Sequence, residues 1–94
     1  MKLIGGSILD EFRKKHADVR ISISAWVAEV EEAEWKTSLD IKARYVHASI
    51  IGEKLVVFNM KGNRYRILTK IDYSHQVVLV KRIGTHEEYA SWDL

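Results

Sequence analysis

The chain has 94 residues, of which 47% are hydrophobic and 30% are charged, so its composition is that of a folded globular protein. It contains no cysteine, which excludes disulfides, thiolate nucleophiles and cysteine-based zinc sites. No apolar run approaches the roughly 20 residues that a membrane-spanning helix requires, and the apolar part of residues 1–6 is too short for a signal peptide. We therefore expect a cytoplasmic protein with one domain, residues 1–94.

The net charge is only +2, but the charged residues are unevenly distributed. Residues 54–82 contain seven Lys or Arg and a single acidic residue, Asp72, whereas acidic residues outnumber basic ones on either side. A segment this basic within a folded domain indicates an anionic partner, and nucleic acid is the first candidate.

The chain begins with a short β-prone segment, residues 2–4, which we predict to be an edge strand. A first helix is predicted to follow, with Ser7 as its N-cap and Asp10 and Glu11 in its first turn. Basic residues 14–16 lie at its end, where the helix dipole favours cations. Its predicted apolar face consists of Ile8, Leu9 and Phe12.

A second helix is predicted to begin near Asp18, which can serve as its N-cap. Residues 21–24 alternate apolar and polar side chains as a strand does, but a helical spacing continues over a longer stretch, so we favour the helix. The positions that follow this spacing are Ile23, Trp26, Val27, Val30 and Ala33. Ser38 is predicted to cap a short third helix that runs through Tyr45.

From Lys54 onward the sequence is typical of β-structure. The three predicted strands are residues 55–58, 65–71 and 77–80, and residues 61–63 and 72–75 are the turns between them. Gly84 is predicted to end the last strand, and residues 86–92 to form a short helix or a tail. The order of elements predicts the α+β class, with N-terminal helices packed on one face of a small antiparallel sheet.

The middle strand has two different faces, because side chains alternate along a strand. One face is apolar enough to contact the helices and carries Tyr65, Ile67, Thr69 and Ile71. The open face carries Arg64, Arg66, Leu68 and Lys70. A single cation on this face could be a solvated charge that protects the sheet against edge-to-edge aggregation. This explanation is weaker for three cations on a central strand, because a central strand needs no such protection. We therefore favour a cationic stripe that binds phosphate.

His86 and Tyr89 follow the last strand in the segment Gly84-Thr85-His86-Glu87-Glu88-Tyr89, which can return to the open face. Histidine is the side chain best suited to transfer a proton near neutral pH. Tyrosine can donate a hydrogen bond, stack on a base or carry a proton. Both are catalytic candidates, although a lone histidine is more often a surface or capping residue.

The remaining histidines are assigned no function, since they lie at a helix end, before a strand and in a turn: His16, His47 and His75. No His-x-x-x-His pair, glycine-rich phosphate loop or serine nucleophile elbow is present, so we expect no metal and no cofactor. Trp26 and Trp35 are expected in the core and Trp92 is expected to be exposed.

Five segments, in order along nearly the whole chain, carry a resemblance to a known family: residues 26–35, 41–43, 57–66, 70–71 and 84–89. The most specific motifs are Phe-Asn-x-Lys-Gly-Asn-x-Tyr-Arg at residues 58–66 and Gly-Thr-His-x-x-Tyr at residues 84–89. With these motifs the chain resembles the HigB-type toxins of bacterial type II toxin–antitoxin systems. Many relatives carry Asp directly after the tyrosine of the last motif, where this chain has Ala90.

The resemblance implies a RelE/ParE-like fold and mRNA interferase activity, typically on messages that are being translated. It also implies a cognate HigA-type helix-turn-helix antitoxin. A metal-free ribonuclease needs a base for the ribose 2′-OH, an acid for the leaving 5′-oxygen and cations for the phosphorane. The catalytic candidates are His86, Tyr89, Arg66 and Lys70, and the RNA-binding candidates are Arg64, Lys61 and Asn63.

Two other functions remain open from the residues alone. A toxin of the same fold can block a protein target such as DNA gyrase, because a fold does not determine a function. A non-catalytic RNA-binding module would be expected to expose aromatic side chains for base stacking. Tyr65 is predicted to face the core, which leaves Tyr73, Tyr89 and Trp92 for that purpose.

Overall fold

The computed structural model describes residues 1–94 and contains a five-stranded mixed sheet with four helices. In chain order the elements are β1 (Lys2–Ile4), α1 (Gly6–Lys15), a 3-10 turn (Ala17–Val19), α2 (Arg20–Glu32), α3 (Ser38–Arg44), β2 (Ser49–Ile51), β3 (Leu55–Met60), β4 (Tyr65–Asp72), β5 (Val77–Thr85) and α4 (His86–Ala90). The strands are arranged in the order β1-β5-β4-β3-β2.

The three N-terminal helices pack on one face of the sheet, so the predicted α+β architecture is confirmed. Leu9 of α1, Ile23 and Trp26 of α2, and Ile41 of α3 are buried in one core with residues of the strands. Trp26 packs edge-on against Phe58 of β3, with ring centroids 5.2 Å apart. The helical spacing that favoured α2 over a strand was therefore the correct interpretation.

The predicted helix caps were wrong in detail. Gly5, not Ser7, precedes α1, with a left-handed φ of 91° and no side-chain cap. A Cβ at Gly5 would lie 2.6 Å from the carbonyl oxygen of Val80, so only glycine allows this close approach of α1 to β5. Asp18 lies within the 3-10 turn and caps nothing. The third helix begins at Ser38 and ends at Arg44, so its N-cap is Thr37 rather than Ser38, and Asp40 accepts the backbone N–H of Thr37 at 3.3 Å.

The antiparallel meander of β3, β4 and β5 was predicted, but the outer strands complete a sheet that is not wholly antiparallel. β1 pairs in parallel with β5, and β2 adds an antiparallel strand beside β3. The sequence before Lys54 was not assigned a strand at β2, because three residues are too few to show an alternation.

The two faces of β4 alternate as expected, with two corrections. Arg64 lies in the turn before β4, not in the strand. Arg66 is only 9% exposed and Leu68 only 6%, so the open face carries a partly covered surface instead of a continuous cationic stripe. Arg66 pairs with Asn59 of β3 and with Gly84 of β5, which places it at the end of the sheet where α4 begins.

None of the helices has both the length and the apolar character needed to cross a lipid bilayer.

Candidate functional site

The short helix α4 presents His86 and Tyr89, and its first turn is held by reciprocal hydrogen bonds. The backbone N–H of Thr85 donates to Glu88 Oε1 at 2.9 Å, and the N–H of Glu88 donates to Thr85 Oγ1 at 3.2 Å. The first of these bonds lowers the pKa of the Glu88 carboxyl below its usual range. The N–H of His86 donates to the carbonyl oxygen of Arg64 at 2.8 Å, so the start of α4 is tied to the turn before β4.

Arg66 lies at the centre of the site. Its Nη1 donates to the carbonyl oxygen of Asn63 at 2.7 Å, and its Nη2 lies 3.2 Å from His86 Nδ1. The guanidinium also stacks over the Tyr89 ring, with its central carbon 5.3 Å from the ring centroid. One buried cation therefore contacts both predicted proton-transfer residues, which occupy positions i and i+3 of one helical turn.

The contact between Arg66 and His86 defines the state of the imidazole ring. A guanidinium has only donors, so the ring nitrogen that it contacts must accept. Nδ1 of His86 is then unprotonated, and in the neutral ring the proton lies on Nε2. In this geometry Nε2 is a donor, and His86 can take a proton only through Nδ1 after it separates from Arg66.

The turn between β3 and β4 is stabilised locally. Lys61 and Gly62 both adopt left-handed backbone conformations, with φ of 53° and 68°. Asn59 Nδ2 donates to Asn63 Oδ1 at 3.2 Å, and this hydrogen bond links the two sides of the turn. The Lys61 side chain remains exposed beside it.

An open cleft of about 430 Å³ adjoins this constellation. It lies between the turn before β4 and the start of α4, and its lining residues are Asn63, Arg64, Tyr65, Thr85, His86 and Glu87. His86 and Arg64 are exposed in it. Three of the predicted site residues, Asn63, Arg64 and His86, thus line one cleft, and Arg66 contacts two of them, Asn63 and His86.

Asp18 contacts two of the residues that line the cleft, Tyr65 and Arg64. The Tyr65 hydroxyl donates to Asp18 Oδ1 at 2.8 Å, and this hydrogen bond raises the pKa of Tyr65 above its usual range. Arg64 Nη1 lies 3.9 Å from Asp18 Oδ2, with its side chain still 73% exposed. Asp18 had been predicted only as a helix cap, and nothing in the sequence relates it to a strand so distant in the chain.

Lys70 lies apart from the other predicted catalytic residues. It lies four positions after Arg66 on the same strand, which corresponds to roughly 13 Å. It lines a different cleft of about 290 Å³ together with Lys54 and Asp72. The structure therefore brings together His86, Tyr89 and Arg66, and leaves Lys70 near the opposite end of β4.

Two further residues of the site were not identified as such from the sequence. Trp92, expected to be exposed, is partly buried against Gly84 and lies edge-on to Tyr89 at 5.5 Å between ring centroids. The guanidinium carbon of Arg82 lies over the Trp92 ring, 5.4 Å from the ring centroid. A signal was available in retrospect, since a tryptophan three residues after Tyr89 lies on the same side of a helical turn.

No group of three or more His, Asp or Glu side chains is arranged to hold a metal ion.

Comparison with known protein families identifies one match. The model of a family described as HigB toxin, the RelE-like toxic component of a toxin–antitoxin system, matches residues 19–92, which is most of the chain. The matched region includes the cleft, Arg66 and the whole of α4. The chain matches no curated protein.

Proposed function

The chain belongs to the HigB toxin family, the RelE-like toxic components of toxin–antitoxin systems, and from this membership we propose that it is an endoribonuclease that cleaves mRNA during translation. The observation that carries the proposal is the contact of one buried arginine, Arg66, with both His86 and Tyr89 beside an open cleft. A surface that only bound a protein target would not require two proton-transfer groups held by one cation.

The proposed chemistry uses side chains alone. The ribose 2′-oxygen attacks the adjacent phosphorus while a base removes its proton, and an acid protonates the leaving 5′-oxygen. Charge that develops on the phosphorane is stabilised by preorganised cations and N–H donors. Arg66 is positioned to supply such donors behind the cleft, and Arg64 supplies a second guanidinium at its opening.

His86 and Tyr89 divide the two proton transfers between them. In the resting geometry the His86 ring offers an Nε2–H donor, which suits a hydrogen bond to a phosphate oxygen. For His86 to act as the base, its ring must first leave Arg66, and phosphate bound by Arg66 would favour that exchange of partners. Tyr89, stacked on the same guanidinium, is the second proton carrier.

RNA contacts outside the reacting atoms are assigned to exposed residues around the cleft. Arg64, Lys61 and Asn63 lie in the turn that forms one wall of the cleft, where their side chains can reach the phosphates and bases of the bound strand. Lys70 is placed in this binding group and not in the chemistry, because it lies roughly 13 Å along the strand from Arg66.

The activity is tested by primer extension on mRNA from a purified translation system to which the chain is added, with His86→Gln as the control. Discrete new 5′ ends that depend on His86 are expected. Products should carry a 5′-OH and a 2′,3′-cyclic phosphate or 3′-phosphate, and a 5′-phosphate would refute the metal-free mechanism. A toxin that blocks gyrase, or an RNA-binding module without catalysis, would produce no new ends.

Membership of the family implies an antitoxin partner, and we propose that it is a HigA-type helix-turn-helix protein. It can act by laying an acidic segment over Arg64, Arg66 and Lys70, where opposite charges accelerate association. It can also bind the N-terminal helices and act from a distance. Hydrogen exchange of the complex separates the two: protection confined to residues 8–35, without change at residues 64–70 and 86–89, would eliminate direct covering of the site.

A further inference from the structure

The helix that carries His86 and Tyr89 is too short to define its own position. α4 has five residues, and an isolated helix of that length is not stable in water. Its first turn is tied by Thr85 and Glu88, as described above. Its other end is followed at once by Ser91, whose hydroxyl donates to the carbonyl oxygen of Glu88 at 2.7 Å, and by Trp92.

Trp92 fits against the one position of β5 where a side chain is missing. A Cβ at Gly84 would lie 2.9 Å from Trp92 Cζ2 and 3.2 Å from the Cβ of Glu88, both closer than packed carbon atoms approach. The glycines with positive φ are Gly5, Gly52 and Gly62, so Gly84 is not needed for its backbone conformation. What glycine provides at position 84 is space for α4 and the indole ring.

The indole ring also belongs to a continuous series of contacts that runs from Arg82 to the proton-transfer residues. Arg82 stacks on Trp92 at 5.4 Å, Trp92 meets the edge of Tyr89 at 5.5 Å, and Tyr89 stacks on Arg66 at 5.3 Å. Arg66 in turn contacts His86. The Tyr89 ring is therefore held between the guanidinium of Arg66 and the ring of Trp92, and the Trp92 N–H also donates to the Tyr89 carbonyl oxygen at 3.0 Å.

We propose that Trp92, seated against Gly84, is a positioning residue that fixes α4 so that Tyr89 and His86 face Arg66 and the cleft. The expected effect on rate rests on the proposed ribonuclease function. The expected effect on the position of α4 does not depend on that function. Trp92 does not line the cleft and packs edge-on against Tyr89, so its influence on the reaction passes through Tyr89 and the orientation of α4.

The kinetic test compares Trp92→Ala, Trp92→Phe and the matched control Leu94→Ala, which removes another partly exposed apolar side chain close by in the chain. Trp92→Ala is expected to lower kcat about 10²-fold, the scale associated with an ångström of misplacement in a site, with little change in KM. Trp92→Phe keeps an aromatic ring against Tyr89 and is expected to recover most of the loss. Leu94→Ala is expected to behave as the wild type.

Gly84→Ala tests the packing of Trp92 against Gly84 through a double-mutant cycle. In the wild-type background the added methyl displaces Trp92 and should lower kcat, whereas in the Trp92→Ala background it should cost much less, because the ring it displaces is gone. Equal losses in both backgrounds would show that the two residues act independently and would overturn the proposal. So would a Trp92→Ala variant with wild-type kcat.

Hydrogen exchange tests the positioning role of Trp92 independently of the proposed ribonuclease function. If the wild type cleaves no RNA, the proposed function fails, and positioning is then judged from amide exchange alone. Trp92→Ala should accelerate exchange of the α4 amides, including the His86 N–H that donates to Arg64, while the amides of β3 and β4 stay unchanged. Unchanged exchange in α4 would refute the positioning role whether or not the chain is a nuclease.

Discussion

Replacing Arg66 by lysine should separate the geometry of the guanidinium from its charge. The fork of Arg66 reaches the Asn63 carbonyl oxygen and His86 Nδ1 at the same time, at 2.7 Å and 3.2 Å. A lysine ammonium is a single point of charge on a flexible chain and cannot reproduce both contacts while it lies over Tyr89. Arg66→Lys therefore leaves the net charge of the site unchanged but removes one of the two contacts, to the Asn63 carbonyl oxygen or to His86 Nδ1.

The expected loss of stability follows from the contacts and the burial of the side chain. A hydrogen bond to a charged group contributes about 1.5–3 kcal/mol net, and lysine retains one of the two, so the free energy of unfolding should fall by about 2 kcal/mol. For a domain of this size that corresponds to a melting temperature about 10 °C lower. The larger effect should be on cleavage, where loss of one preorganised donor typically costs about 10²–10³ in kcat.

Thermal denaturation and single-turnover cleavage of the same preparations provide the two measurements, with Arg20→Lys as the matched control. Arg20 is exposed at the start of α2, does not line the cleft, and donates one exposed hydrogen bond to the carbonyl oxygen of Arg13 at 3.2 Å, so its substitution by lysine should change neither quantity appreciably. If Arg66→Lys cleaved RNA as fast as the wild type, the guanidinium fork would have no role in the reaction. If it melted as the wild type does, the two short contacts would contribute nothing to stability.

Three further outcomes follow from the structure. His86→Gln should lower kcat by about 10²–10⁴ with an unchanged melting temperature, because the exposed glutamine can still accept from Arg66 but cannot transfer a proton; near wild-type cleavage would remove His86 from the mechanism. Lys70→Glu should weaken RNA binding and reduce its salt dependence, as filter binding at several salt concentrations would detect, while kcat at saturation stays unchanged. A large loss of kcat there would return Lys70 to the catalytic group. The pKa of Asp72 is lowered to about 2, chiefly because its carboxylate accepts the backbone N–H of His75. The stability that this ionised carboxylate confers is complete above the ordinary pKa of about 4 and is lost as the pH falls through 2. Asp72→Ala should therefore lower the melting temperature at pH 7 but not near pH 2, and a difference that persisted at pH 2 would assign the effect to packing.

Much of the fold could be predicted from periodicity, because long amphipathic segments leave a clear pattern. The helix around Trp26 and Val30 and the meander of β3 to β5 are of this kind. The parallel pairing of β1 with β5 could not be predicted, since residues 2–4 are too few to specify a partner. The helix caps were misplaced because two favoured cap residues lie close together at each of these helix starts: Gly5 and Ser7 before α1, and Thr37 and Ser38 before α3.

The candidate site was predicted in part. The segment that contains His86 and Tyr89 was expected to be able to return to the open face of the sheet, and both side chains contact Arg66. Alternation alone could not show that Arg66 is buried or that Lys70 lies too far away, since it gives the face of a residue but neither its depth nor its distance from the strand end. The fit of Trp92 against Gly84 depends on the absence of a side chain, which no hydrophobic pattern records.

The parallel pairing of β1 with β5 also sets an order of events during synthesis. Lys2 pairs with Val77, so β1 has no partner until the ribosome has added the residues of β5. At roughly 5–20 residues per second, β1 waits about 4–15 s for that partner. The cleft needs residues still further along, Thr85 to Glu87, to meet the turn before β4. The site is therefore assembled only after nearly the whole chain has been synthesised.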